Sequence, residues 1–196
     1  MYSSREEHLE AIYRILRHLK RTPNKALLFK KDNYMRSKTF TDVNWARSVS
    51  DRRPTSRYCT FIGDNLVTSR SKKHTVVTKS RAEAKLKAIA QGISASIIWT
   101  GIQHTSLSGY LDVPLEPYCD NKATINIAYN SVYYDITNHA KVYQHFIKEK
   151  IEEGIVFVSY IPIEKQLANI LTKGLQKSSY EDLTSKLGMI DIFKSV

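Results

Sequence analysis

This sequence predicts a mixed α/β fold, one five-stranded sheet with helices on its faces, and three features support that reading. Three β-prone runs crowd into residues 37–79, two of them joined across Gly63-Asp64-Asn65. A long amphipathic helix follows from Ser80. Two further strands, Leu115 to Cys119 and Ile155 to Ile161, are then set apart by helical stretches. The order is β-β-β-α-β-α-α-β-α, and a chain of 196 residues, 42% of them hydrophobic, can bury a core of that size.

The elements follow in order. Residues 5–20 space Leu9, Ile12, Tyr13, Leu16 and Leu19 as a helix, which Thr22-Pro23-Asn24 stops. Ala26 to Phe29 is a short strand. The first sheet strand is the run Lys38 to Ala46, apolar at Phe40, Val43 and Trp45, with one carboxylate, Asp42, at its middle. Arg57 to Ile62 and Leu66 to Thr68 form the next two, and SRSKKHTVVTKSR reads as a basic loop. Ser80 with Glu83 three residues on has capping-box spacing, and Ala82, Leu86, Ile89, Ala90, Ile93 and Ile97 form the stripe of the helix they start. After Leu115–Cys119, Asp120-Asn121 opens a short helix. A further helix runs from about His139 to Glu152 with Val142, His145, Phe146 and Ile147 inward. Two last helices span Gln166 to Lys173 and about 178–187.

Charge narrows the function. Thirty Lys and Arg against nineteen Asp and Glu leave +11, a balance suited to a polyanionic partner. No apolar run is long enough to span a bilayer, and MYSSREEHLE lacks the layout of a signal peptide, so an intracellular protein, cytoplasmic or nuclear, is expected. The two cysteines, Cys59 and Cys119, make neither a disulfide framework nor a zinc site and read as core thiols.

Against that basic background, three acids sit on successive elements: Asp42 in a strand, Glu83 at the start of the long helix and Asp120 at the end of the fourth strand. A buried acid is costly unless it is paired, hydrogen-bonded or bound to a cation. Singly, each has a plain reading: a satisfied buried acid, a capping-box residue and a helix N-cap. Together, in this order, they favour a metal site acting on a polyanion.

The local words go further. TFTDVNWARS, DRRPTSRYCTFIGDNLVTSRSKK, the SRAEAK segment, PYCDNKATINIAYN, HFIKEK and QLANILTKGL resemble the ribonuclease H domain of copia-type LTR retrotransposon Pol polyproteins over about residues 8–192. HLEAIYRILRHLKRTPNKALLF is similar to the segment linking reverse transcriptase to ribonuclease H there. Residues 1–36 are thus expected to be a connection-like remnant of something longer, and 37–196 a ribonuclease H-like domain.

The resemblance implies Asp42, Glu83 and Asp120 as catalytic metal ligands, with Asn169 at the position of a fourth family acid. It also implies two Mg²⁺ (or Mn²⁺) ions and cleavage of the RNA strand of RNA–DNA hybrids. Two ions about 3.5–4 Å apart need hard oxygen ligands. An Asn keeps its carbonyl oxygen but loses a charge, a change on the order of 4 kcal/mol for a pair at about 4 Å in an effective dielectric of about 20. A weakened enzyme is therefore expected, and a catalytically silent nucleic-acid-binding or protein-interaction module is the alternative. Arg70, Lys72, Lys73 and Asn121 are the candidate nucleic-acid contacts. Asn44, Arg47, Arg57 and Lys85 stand where family members commonly carry Asp, Gly, Gly and Glu.

Overall fold

The structure, a computed structural model, describes residues 6–21, 24–31, 36–45, 53–75, 77–78, 80–104, 114–130, 138–171 and 173–193. In chain order its elements are α1 (Glu6–Arg21), β1 (Lys25–Leu27), β2 (Ser37–Asn44), β3 (Thr55–Ile62), β4 (Asn65–Lys73), α2 (Arg81–His104), β5 (Glu116–Cys119), α3 (Lys122–Tyr129), α4 (Asn138–Glu152), β6 (Ser159–Tyr160), α5 (Lys177–Lys186) and β7 (Met189–Asp191). Two 3-10 turns, Ile163–Lys165 and Leu167–Leu171, lie between β6 and α5. The main sheet has the order β4-β3-β2-β5-β6, with β2, β3 and β4 antiparallel and β5 and β6 added in parallel. This is the mixed five-stranded sheet flanked by helices that the sequence predicts.

Each face of β2 has its own layer. Thr39, Thr41 and Val43 face α2, beside the core of Leu86, Ile89 and Ile93 packed with Cys119, Ile127, Ile147 and Val158. Phe40 and Asp42 face the opposite side. There Phe40 meets Phe61 edge-on at 5.6 Å, stacks on Tyr118 at 5.0 Å, and joins Cys59, Leu167 and Leu183. Gly92 lets α2 lie close on the strand, because a Cβ there would fall 2.7 Å from Thr39 Cγ2 and 2.8 Å from Thr41 Cγ2. The hydroxyls of Thr39, Thr60 and Ser96 satisfy one another beneath this contact.

Several expectations are corrected. The basic loop after Thr68 is largely strand: β4 continues to Lys73, pairing along all of β3, and its charged side chains suit an exposed sheet edge. Residues 155–161 hold only the two-residue β6 and a parallel bridge between Leu115 and Val156. At Val158 the backbone N–H donates to the Tyr129 hydroxyl, which donates in turn to the Val158 carbonyl, so a side chain replaces the ladder there. The run from Gln166 is a short 3-10 turn. The inward face of α4 is Ala140, Gln144 and Ile147, while Val142 and His145 are exposed. Apart from these corrections, β1 in the leading segment pairs antiparallel with β7, in the register Lys25↔Asp191. Arg47 lies outside the described residues.

Candidate nucleic-acid site and its charge centre

The site is built where β2 and β5 run parallel. Asp42 on β2 is paired in register with Arg57 on β3, and the turn after β5 delivers Asp120 to the neighbouring position. Arg57 Nη1 is 3.2 Å from Asp42 Oδ2. From α2, Lys85 Nζ donates to Asp42 Oδ1 at 3.2 Å and also to Asp120 Oδ1, so one ammonium bridges the two acids. Lys173, after the second 3-10 turn, places its Nζ 3.4 Å from Asp42 Oδ2. Burial would raise the Asp42 carboxyl, but Lys85, Lys173 and Arg57 together outweigh it and hold the group below its ordinary value. Asp42 is therefore a fixed anion with cations at both oxygens. Arg57 and Lys85 are fully enclosed; the Lys173 side chain is about a quarter exposed.

The predicted ligands are placed as follows. Asp42 and Asp120 come together. Glu83 is buried and starts α2, its N–H accepted by Ser80 Oγ at 3.1 Å as the capping spacing implies. Among the described residues no group of three or more His, Cys, Asp or Glu is placed to hold a metal ion. Asn169 is buried, donates from Nδ2 to the Ile163 carbonyl at 2.8 Å, and has no hydrogen-bond partner at Oδ1 among the described residues. Its carbonyl accepts from the Lys173 N–H, so the two sit one turn apart on the segment that closes the site. Gln166 anchors that segment by donating to the carbonyls of Thr41 and Tyr118, one on each central strand. Asn121 caps α3, accepting from the Thr124 N–H at 2.9 Å. Arg70, Lys72 and Lys73 are exposed on β4, but strand alternation puts Arg70 and Lys72 on one face and Lys73 on the other.

No family model matches the chain. It is 32% identical over 189 residues to the retrovirus-related Pol polyprotein from transposon RE1 of Arabidopsis thaliana, a match covering 96% of this chain and 13% of that protein. It is 29% identical over 192 residues to the corresponding polyprotein of transposon RE2, covering 98% and 13%. The chain thus spans about an eighth of the length of these relatives. Its fold matches LC11-RNase H1, isolated from compost, with a TM-score of 0.52 at 15% identity, covering 70% of this chain and 92% of that one. The chain is homologous to copia-type retrotransposon Pol polyproteins and has the ribonuclease H fold.

Arg57 and Lys85 are the two enclosed cations on Asp42. Three cations, Arg57, Lys85 and Lys173, are paired with Asp42 and Asp120 there. A pair of divalent ions needs an excess of carboxylates and room for retained water. With the Lys85 ammonium between Asp42 and Asp120, these residues do not fit such a pair.

Lys173 and Gln166 join the site beyond the residues that the sequence marks, and Arg57 and Lys85, marked there only as departures from the resemblance, pair with Asp42. One signal was available for Lys85: it lies between Ala82 and Ile89 at helical spacing, a lysine on an otherwise apolar stripe. No comparable pattern marks Lys173 or Gln166, which come to the site through tertiary packing.

Proposed function

We propose that this chain is a nucleic-acid-binding module of the ribonuclease H fold in which metal-dependent hydrolysis is silent, with RNA–DNA hybrid or a similar duplex as its ligand. The Lys85 ammonium between Asp42 and Asp120 carries the reading, because it stands between the acids a hydrolytic ion would need. The net charge of +11 supports a polyanionic partner, and LC11-RNase H1 of the same fold has been crystallised with an RNA/DNA hybrid. Recognition would rest on duplex shape, 2′-hydroxyls and phosphates. Exposed Arg70 and Lys72 on the sheet edge and the partly exposed Lys173 are the candidate phosphate contacts.

The alternative is a weakened endonuclease using Mg²⁺ or Mn²⁺, for which the retained Asp42 and Asp120 speak. Labelled hybrid separates the two. The expected result is salt-dependent binding of equal strength in EDTA and in Mg²⁺, with no cleavage in either metal and none gained by Asn169→Asp. Cleavage that requires metal and disappears in Asp42→Asn would make the protein an enzyme. Loss of all binding at low salt would remove the nucleic-acid reading.

A further inference from the structure

We infer that Lys85 replaces a divalent ion permanently: its ammonium is a tethered cation that completes the Asp42–Asp120 centre, so the fold neither takes up nor needs Mg²⁺ or Mn²⁺. This deepens the binding-module reading by saying how the centre stays assembled without metal, but it depends only on the protein's own side chains.

Two neighbouring acids, one on β2 and one just past the end of β5, repel each other unless a positive charge lies between them. Lys85 Nζ supplies that charge to both, while Arg57 and Lys173 take the second oxygen of Asp42. A mobile lysine could swing out and admit an ion. This one is buried along with its neighbours: Glu83, Ala84, Lys85 and Leu86 are four consecutive buried residues. The α2 backbone is itself held against β2 at Gly92, which keeps the reach from Lys85 to Asp42 fixed. An entering dication would also meet the three cations already paired with these acids. Binding to the native state alone would raise stability, so thermal unfolding reports uptake directly.

The test is thermal unfolding of the full chain in EDTA and in millimolar Mn²⁺, with Lys85→Glu and Lys85→Gln alongside. The unaltered protein should melt at the same temperature in both. Lys85→Gln should melt lower in EDTA, because it removes the bridging charge. Lys85→Glu should melt lower still in EDTA and recover several degrees in Mn²⁺, having gained a third carboxylate facing the other two. If Lys85→Glu does not fold in EDTA, return of its circular dichroism on adding Mn²⁺ supports the inference. If it folds in neither, Lys85→Gln decides: a depressed midpoint supports the inference and an unchanged one overturns it. A midpoint of the unaltered protein that climbs with Mn²⁺ also overturns it. None of these readouts involves nucleic acid, so a failure of hybrid binding leaves them standing.

Discussion

β2 shows two different chemistries on its two faces. Toward α2 it presents Thr39, Thr41 and Val43, small side chains that let the helix settle onto the strand at Gly92. Toward the other side it presents Asp42, around which three cations have gathered. The first face is uncharged and depends on shape. The second is dense with charge and depends on every partner being present.

That contrast is broken most strongly at Asp42. In Asp42→Asn, Arg57, Lys85 and Lys173 lose the anion they share, and two of those cations are fully enclosed. Removing one partner of a buried ion pair costs about 3–5 kcal/mol, against a typical domain stability of about 5–15. Urea unfolding should show a loss of that order. A variant as stable as the parent would mean that the cations do not depend on Asp42. In an ion-binding centre the same change would instead abolish stabilisation by metal, so the two arrangements give different results for one substitution.

Gly92→Ala probes the uncharged face. The added methyl would press on both threonine methyl groups at 2.7 and 2.8 Å, and they belong to a strand held in the middle of the sheet. Overpacking of this kind costs about 1–3 kcal/mol. The substitution should lower the unfolding midpoint and, by lifting α2, loosen the Lys85 bridge as well. Thr39→Ala in the same chain should recover part of the loss by vacating the space. Failure of that rescue would mean that the contact is slack.

These two faces also mark how far the sequence could be read. The strand order, the hairpin at Gly63-Asp64 and the cap at Ser80 follow from local periodicity and turn chemistry, and they are legible in single segments. The centre is not local. Asp42 and Asp120 were visible as acids in apolar settings, but their partners come from β3, α2 and the segment after the second 3-10 turn. Matching words located Glu83 in the AEA segment, yet the residue that reaches both acids is Lys85, two positions further along the helix. Two positions is about 200° of helical rotation, so a shift that leaves a word match intact changes the face completely. Strand length at β4 was underread for a related reason: pairing along β3 overrides the weak strand propensity of SRSKK.

A smaller effect is expected from His74, at the junction of the two faces with the edge of the sheet. Ser56 Oγ donates to Gln91 Oε1 at 3.0 Å and so accepts from His74 Nε2 at 2.9 Å. That leaves the buried Nδ1 as the unprotonated nitrogen. Burial, with Lys87 and Lys72 adding to it, pushes the imidazole down to about 4 from an ordinary 6.5. Between those values the unfolded chain binds a proton that the folded chain does not, so stability falls as pH drops. Unfolding midpoints measured from pH 7 to pH 5 should decline, and His74→Gln should flatten that decline. Asp42 acts lower, from its ordinary value near 3.8 down through its depressed one, and does not share the window. An unchanged slope in His74→Gln would assign the decline to other groups.

The smallest effect on the fold, and the sharpest on function, is expected at the sheet edge. Arg70 and Lys72 are exposed on β4, on one face of the strand, and neither holds up the core. Replacing both by Gln should leave the unfolding midpoint within a degree or two, since surface changes away from packed features stay within about 0.5 kcal/mol. If both meet phosphates, the slope of log affinity against log salt should fall by roughly two units, about 0.9 for each lost contact. Lys73→Gln is the internal control, because it lies on the opposite face of the same strand and is likewise exposed. Equal effects from Lys73 and from the pair would reduce the edge to a diffuse cloud of charge. A selective loss at Arg70 and Lys72, insensitive to EDTA, would place the duplex on that face and show that it is held by protein cations alone, as proposed for the centre around Asp42.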